Sequence, residues 1–520
     1  MAEMLHNLSE RLHRPFKSVN QTPSWRRYLK YHSEESVEGI GVLGGISLAV
    51  NILMGAGFLS LPLLISKSGI LLGPTVMLFA FFVLRTTGLY EAELMCRAEA
   101  IVKNELQGNS SLNDVELDEA PIAANYFTMQ QNEEEMKINQ HAFSMAEICE
   151  IFVGKWLQKI YIALLMFFYF CSLVGFTIVF SNALSNYVPI PFIYEGQTCK
   201  VSLEAPGCSD LKKFYTIFFG IIVIPLSTIG VKEQINFQML MTCLRLLVVI
   251  LMSGTCVYAI SSGAEIFGPS FVGDHFPKYF SFSQVYQIIP VSLFTQTINS
   301  FVTLVVRDLK EKKTLGRVIS TGMFITVAFY IMIGCSVAYY FGTSVSASAN
   351  VMWEYFTGGY SSQDLPLWVH FISFFVILFP AMDTMSVFPL CAITMASNAM
   401  AVYYHDRIDK AEKDKYIVRF FRLLCSVSPF LCSFFLSNGF DAILMYGGMS
   451  AIPISLIIPP YLNYISQKVV KKRLGYRTAN TPFTGICSHP VILTFLGIFG
   501  MILFFFIFFI NTFLLITSAH

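Results

Sequence analysis

Apolar runs of about 20 residues, long enough to cross the hydrocarbon of a bilayer, recur from residue 40 to residue 515. No other feature limits the fold as strongly, since backbone groups inside lipid have no water to bond and must be satisfied by the protein itself. The runs lie near residues 40–65, 70–93, 156–187, 212–230, 236–260, 284–306, 318–341, 366–397, 418–437, 439–464 and 490–515, which makes about eleven spans. Charge agrees with this reading. Only 13% of the 520 residues are charged and mean hydropathy is +0.59, against about 25% charged in a soluble domain. The expected class is an all-α membrane protein, its core the helix bundle over residues 39–516, preceded by a polar tail at 1–38.

The first run, Ile40 to Ile65, is not a plain anchor, because it carries Gly55, Gly57 and Pro62. Glycine loses the most entropy in a helix and proline removes a backbone donor, so the helix is expected to unwind at Met54-Gly55-Ala56-Gly57. Unwound backbone at membrane depth is tolerated only against protein or a water-filled cavity, which makes these residues a candidate binding site. The plain alternative is that the glycines let a neighbouring helix approach closely. In folds built from inverted repeats, a second interrupted helix stands at the corresponding position of the other half, here the sixth span. There Gln287-Ile288-Ile289-Pro290 precedes the polar cluster Thr295-Gln296-Thr297-Ile298-Asn299-Ser300. Polar side chains can re-satisfy backbone freed by unwinding; a Pro-kinked helix bonded to its neighbours is the alternative.

Ionisable residues inside spans cost about 2.5–3.5 kcal/mol at a helix centre, so each needs a partner or a task. Arg85, Glu91 and Glu93 stand toward one end of the second span, where reaching back to the interface would account for them. Arg245, within the fifth span, has less room to do so. Asp383 lies mid-span beside Thr384 and Ser386, a set that could hold a coupling proton or Na⁺, the alternative being an internal Asp–Arg pair.

Lys and Arg sort by side. The tail, the loop from Arg307 to Arg317, the loop from Arg407 to Arg422 and Lys468 to Arg477 are basic, whereas the opposite loops carry only Lys200, Lys212, Lys213 and Lys278. This predicts a cytosolic N-terminus and a lumenal or extracellular C-terminus. Residues 97–142 hold Asp114, Glu116, Asp118, Glu119 and Glu133 to Glu135 with few apolar clusters, and are expected to be a disordered cytosolic loop. Ser144 after it is placed to cap a short amphipathic surface helix. Cys199 and Cys208 share a non-cytosolic loop and are expected to form a disulfide. The sequons at Asn7, Asn20 and Asn109 fall on the cytosolic side, where glycosylation is not expected.

Taken together, several stretches resemble a known family. Asn51-Ile-Leu-Met-Gly55-Ala-Gly57-Phe-Leu-Ser-Leu-Pro62 resembles the first-helix signature of the amino acid/auxin permease superfamily, and Ser292 with Gln296 fits its sixth-helix pattern. Within that group the chain looks most like the transmembrane protein 104 family, also through Ser144 to Leu184, Pro225 to Arg245, Leu378-Phe379-Pro380 and Phe388-Pro389. The resemblance implies a five-plus-five inverted repeat of the leucine-transporter type with an eleventh helix, and amino acid transport driven by H⁺ or Na⁺. The chain departs from the family pattern at Ser300, where proline is expected, at the sixth-helix break, which lacks glycine, and at Asp383, where a neutral residue is expected.

The leading functional reading is a secondary active transporter of amino acids or related small zwitterions. Backbone N–H groups around Gly55 to Gly57 would hold the carboxylate, with Asn51, Met54, Ala56, Thr295, Gln296 and Thr297 around the substrate and Asp383, Thr384 and Ser386 coupling the ion. The alternative is an amino acid sensor or scaffold that signals through its tail and acidic loop to a cytosolic partner. No enzyme motif is present, and the nine histidines form no metal-like cluster, so no cofactor beyond H⁺ or Na⁺ is expected. A formal net charge of +1 points to no nucleic acid. Tyr126-Phe-Thr-Met129 fits a sorting pattern, which favours an endomembrane, lysosomal or vacuolar, over the cell surface.

Overall fold

The computed structural model describes residues 40–113, 136–138, 142–193, 199, 207–229, 235–263, 265–267, 278–282, 285–346, 348–360, 365–404, 411, 414–435, 440–475 and 478–518. The tail at 1–38, Asn7, Asn20, the acidic residues 114–135 and Tyr126 to Met129 lie outside them. In chain order the helices are α1 (Val42–Leu53), α2 (Leu61–Ser68), α3 (Leu72–Asn113), α4 (Met145–Phe152), α5 (Lys155–Tyr187), α6 (Cys208–Thr228) and α7 (Ile235–Ser262). The chain continues with α8 (Val285–Gln296), α9 (Val302–Asp308), α10 (Leu315–Phe341), α11 (Leu367–Tyr404), α12 (Lys415–Phe435), α13 (Phe440–Ile452), α14 (Ile458–Leu474) and α15 (Pro490–Ser518).

Among the described residues there is no strand, and nine helices are long and apolar enough to cross a membrane. Two of the expected spans are not single helices. The first is split into α1 and α2, which are bent by 60° across a short 3-10 turn, Ala56–Leu59. The sixth is split into α8 and α9 on either side of residues 297–301. Pro290 lies within α8, so the second break falls at the polar cluster and not at the proline. Pro62, in contrast, sits at the start of α2, where its missing N–H has no helical partner to lose.

The bundle is closed by packing between distant segments: α11 runs along α5, α10 along α1, and α8 along α13. Gly447 and Gly448 of α13 let α8 come close, since a Cβ on Gly447 would meet the Phe294 ring at 2.6 Å and one on Gly448 would strike the Pro290 carbonyl. The glycines that the sixth span lacks are therefore on the helix facing it. Lys310 N donates to the Ile40 carbonyl at 3.0 Å, tying the end of the sixth span to the start of the first.

Three expectations need correction. Helix α3 continues beyond Arg97 to Asn113, and Arg97, Ile101 and Val102 are buried, so the acidic segment starts in helix and not as a loop at residue 97. Glu91 and Glu93 do not reach for the interface; they are 0% and 1% exposed, because α3 is packed on both sides there, Glu91 toward Asn299 and Glu93 toward Asn463. Only Arg85 is partly exposed, with Nε donating to Ser320 Oγ at 2.8 Å. Lastly, α4 is capped by Ser144 in a reciprocal box with Glu147 (Ser144 N to Glu147 Oε2, 2.7 Å), but its apolar residues Met145, Ile148 and Cys149 are buried against α5, α3 and α14 and do not face lipid.

Candidate functional site

The break in the first span exposes helix-end carbonyls that no following turn can satisfy, and two neighbouring side chains supply donors. Arg245 of α7 donates from Nη1 to the Asn51 backbone carbonyl (2.8 Å) and to Asn51 Oδ1 (2.7 Å). Its Nη2 forms a hydrogen-bonded ion pair with Asp383 Oδ1 of α11. Tyr330 of α10 donates to the Leu53 carbonyl at 2.7 Å, which also accepts from Gly55 N at 2.9 Å. All of these side chains are buried. A guanidinium with paired carboxylate thus spans from α11 through α7 to the end of α1.

The residues expected to couple the ion, Asp383, Thr384 and Ser386, are all buried on α11. Asp383 is paired with Arg245, and its hydroxyl neighbours bond within their own helix: Thr384 Oγ1 donates to the Ala381 carbonyl (2.9 Å) and Ser386 Oγ to the Asp383 carbonyl (2.8 Å). The Asn51 carbonyl is met by Arg245. The carboxamide of Asn51 is engaged with the same guanidinium.

The two breaks lie against each other. A Cβ placed on Gly57 would be 2.5 Å from Thr295 Cγ2, closer than any side chain can be accommodated without movement. Thr295 Oγ1 turns back to the Val291 carbonyl at 3.0 Å, and the Thr295 carbonyl stands 3.5 Å from Tyr330 Oη. One phenol therefore joins the carbonyls that end α1 and α8. Gly55 differs from Gly57. Its backbone is extended with φ −74°, and a Cβ there would make ordinary contact with Phe176 of α5 at 3.6 Å. Met54 is fully buried beside these residues, and Ala56 lies in the 3-10 turn.

At the second break, Thr297 Oγ1 returns to the Leu293 carbonyl (2.5 Å) and Tyr169 of α5 donates to the Ser300 carbonyl (3.1 Å). Gln296 Nε2 reaches the Met77 carbonyl at 3.4 Å, while Gln296 Oε1 and Ser292 Oγ are buried without a hydrogen-bond partner among the described residues. Such orphaned atoms are costly unless something else meets them. Asn299 donates to Glu91 Oε1 of α3 at 2.8 Å and accepts from Thr87 at 3.3 Å. Three participants were not identified from sequence: Tyr330, Tyr169 and Glu91. A tyrosine in a span gives no periodic or compositional signal, and the burial of Glu91 depends on how α3 is rotated.

Elsewhere, a cavity of about 270 Å³ lies between α3, α8 and α15, lined by Phe79, Val83, Leu293, Leu456, Phe499 and Leu503 among others. Its apolar wall offers nothing to a zwitterion, so it is not the candidate site. On the opposite loop, Cys199 and Cys208 are joined in a disulfide with Cα atoms 5.4 Å apart.

Comparison with known proteins agrees with this architecture. The family model described as "Transmembrane amino acid transporter protein" matches residues 38–508. Transmembrane protein 104 of Mus musculus is 19% identical over 497 residues, covering 89% of this chain and 95% of that protein. The Transmembrane protein 104 homolog of Drosophila melanogaster is 21% identical over 488 residues, covering 84% and 91%. With nearly the whole bundle inside the match, the chain belongs to the transmembrane amino acid transporter protein family, which is a family of transporters and not of enzymes.

Proposed function

We propose that the chain is a secondary active transporter of amino acids or related small zwitterions, bound where the two interrupted spans meet. The observation that carries this reading is the contact of the two breaks, with Gly57 against Thr295 and Tyr330 between the Leu53 and Thr295 carbonyls. Non-helical backbone at this depth is the recurring means by which transporters present N–H and C=O groups to a substrate. Ala56 and Gly57 supply backbone N–H groups for the carboxylate, Gly55 N being held by the Leu53 carbonyl. Met54, Thr295, Gln296 and Thr297 form the surround, with Asn51 acting through Arg245. The unpartnered Gln296 Oε1 and Ser292 Oγ are suited to accept or donate to a polar ligand.

The finer architecture in this proposal is eleven spans in a five-plus-five inverted repeat, with the N-terminus cytosolic and the C-terminus lumenal or extracellular. Two interrupted spans in first and sixth position support the repeat, and the Lys and Arg asymmetry supports the orientation. Coupling is to a cation, and H⁺ suits the residues better than Na⁺, since Arg245 already neutralises Asp383. Asp383, with Thr384 and Ser386 on the same turn, then serves coupling by holding Arg245 and, through it, α1 in place while the other break moves. An endomembrane is the proposed location.

A thermal-shift screen of the purified protein against the common amino acids at neutral and acidic pH tests the binding half of the proposal, because a ligand that binds the native state stabilises it. A ligand at 100 times its Kd adds about 2.7 kcal/mol. Stabilisation that Thr295→Val and Gln296→Ala abolish is expected. No stabilisation by any amino acid would count against a substrate site here.

A further inference from the structure

Glu91 is the one buried carboxylate of the three described in α3 and α11 that has no cation beside it. Asp383 is paired with Arg245, and Glu93 with Arg97 at 2.6 Å, Asn463 Nδ2 and Ser488 adding hydrogen bonds. Glu91 accepts one hydrogen bond at Oε1, from Asn299, while Oε2 is buried with no partner among the described residues. The titratable groups that face it from neighbouring helices are Cys149 of α4 and Tyr161 and Tyr169 of α5. Each is uncharged as ordinarily protonated, so none supplies a positive charge. Helix α3 also packs against α2, α8, α9, α10 and α14. Their basic residues, Lys67, Arg307, Arg317 and the run Lys468, Lys471, Lys472 and Arg473, make no ion pair with Glu91, and neither do Arg85, Arg97 or Lys103 on α3 itself.

An isolated ionised carboxylate in such a place is far more expensive than a neutral carboxyl with an unmet polar atom. In this conformation Glu91 is therefore stable as the acid. Its contact is as informative as its charge. Asn299 stands in the break between α8 and α9, so the carboxyl is bonded directly to the segment of the sixth span that is not helix. Release of the proton would leave a charge that only water or a cation can meet, which requires the break to move away from α3.

We propose that Glu91 is a proton-binding site that couples proton movement to the conformation of the sixth-span break, with Asn299 as its positioning residue. The proposal rests on the transporter reading and deepens it by naming the coupling ion as H⁺ and its carrier as Glu91, not Asp383. The only bond made and broken is O–H on the carboxyl: a proton arrives from the more acidic side, holds Glu91 neutral against Asn299, and leaves to the other side once the break has shifted. No electron moves and no further reactant is needed.

Two measurements on the full chain test this separately from transport itself. In proteoliposomes, E91Q keeps the shape and neutrality of the protonated side chain; exchange of amino acid across the membrane is expected to persist while accumulation driven by a pH gradient falls to the level seen without a gradient. E91D, which keeps a carboxyl, is expected to recover part of that accumulation. In infrared difference spectra of detergent-purified protein, the wild type at neutral pH is expected to show a protonated-carboxyl C=O band that E91Q lacks. Accumulation by E91Q equal to wild type, or identical spectra for the two proteins, overturns the proton site. If the wild type moves no amino acid yet shows the band, the transporter reading fails and the proton site stands. The spectra are read on folded protein whether or not flux is present, and E91D, through a shifted band, replaces E91Q should that variant not insert.

Discussion

The breaks in the first and sixth spans are held by opposite electrostatic means. At the first, a buried guanidinium with its carboxylate, Arg245 with Asp383, clamps the Asn51 carbonyl. At the sixth, a carboxyl without a counter-cation among the described residues, Glu91, meets Asn299. A fully paired clamp is costly to open, because each partner would be left as a lone charge in the interior. A single carboxyl can change state simply by gaining or losing a proton. The difference assigns anchoring to one break and responsiveness to the other.

The largest effect should come from breaking the clamp. Asp383→Asn leaves Arg245 buried with its charge unmet, and a loss of about 3–5 kcal/mol is expected, read as a large drop in apparent melting temperature in detergent. Asp383→Asn combined with Arg245→Gln should recover much of that loss. A stable Asp383→Asn single variant would remove the distinction between the two breaks.

Next in size is Gly57→Ala. Its Cβ must displace Thr295, and overpacking of this kind costs about 1–3 kcal/mol. Gly55→Ala should cost less than about 1 kcal/mol, comparable to an ordinary tolerated substitution, because Phe176 stands at contact distance and the backbone φ of −74° suits any residue. Equal losses at the two positions would contradict the close apposition of the breaks. Gly55→Leu is expected to abolish amino acid binding in folded protein by filling the space toward Phe176, measured by loss of the ligand-induced thermal shift.

Tyr330→Phe removes one of two donors to the Leu53 carbonyl, since Gly55 N remains, and should cost about 0.5–1.5 kcal/mol. Smallest of all is Glu91→Gln. If the carboxyl is already neutral and bonded to Asn299, the amide replaces it with a change of less than about 0.5 kcal/mol, within the range of a neutral substitution. The same Glu-to-Gln or Asp-to-Asn exchange would then be severe at one break and silent at the other. A loss at Glu91→Gln as large as that at Asp383→Asn would mean that both carboxylates are ionised and the contrast is false.

The spans were legible because apolar length is a one-dimensional property, and the first break because Gly55, Gly57 and Pro62 are poor helix residues in consecutive turns. The second break was legible only roughly. Pro290 drew attention, but the helix passes through it and gives way at the polar residues beyond Gln296. The partners of the site were not readable in the same way. Arg245 and Asp383 are 138 residues apart, and only the packing of α7 against α11 brings them together. Glu91 and Glu93 are two residues apart, hence about 200° apart around a helix axis. Yet both are buried, one toward Asn299 and the other toward Arg97 and Asn463. Sequence spacing predicts one buried and one exposed; a helix packed on both sides removes that rule.

Uptake of labelled amino acids by the purified protein in sealed proteoliposomes, under an inward proton gradient, tests the central claim most directly. The account predicts accumulation above the equilibrium level that collapses when a protonophore dissipates the gradient. Amino acids that stabilise the folded protein in detergent, yet do not cross the proteoliposome membrane with or without a gradient, would contradict it and leave a sensor in its place.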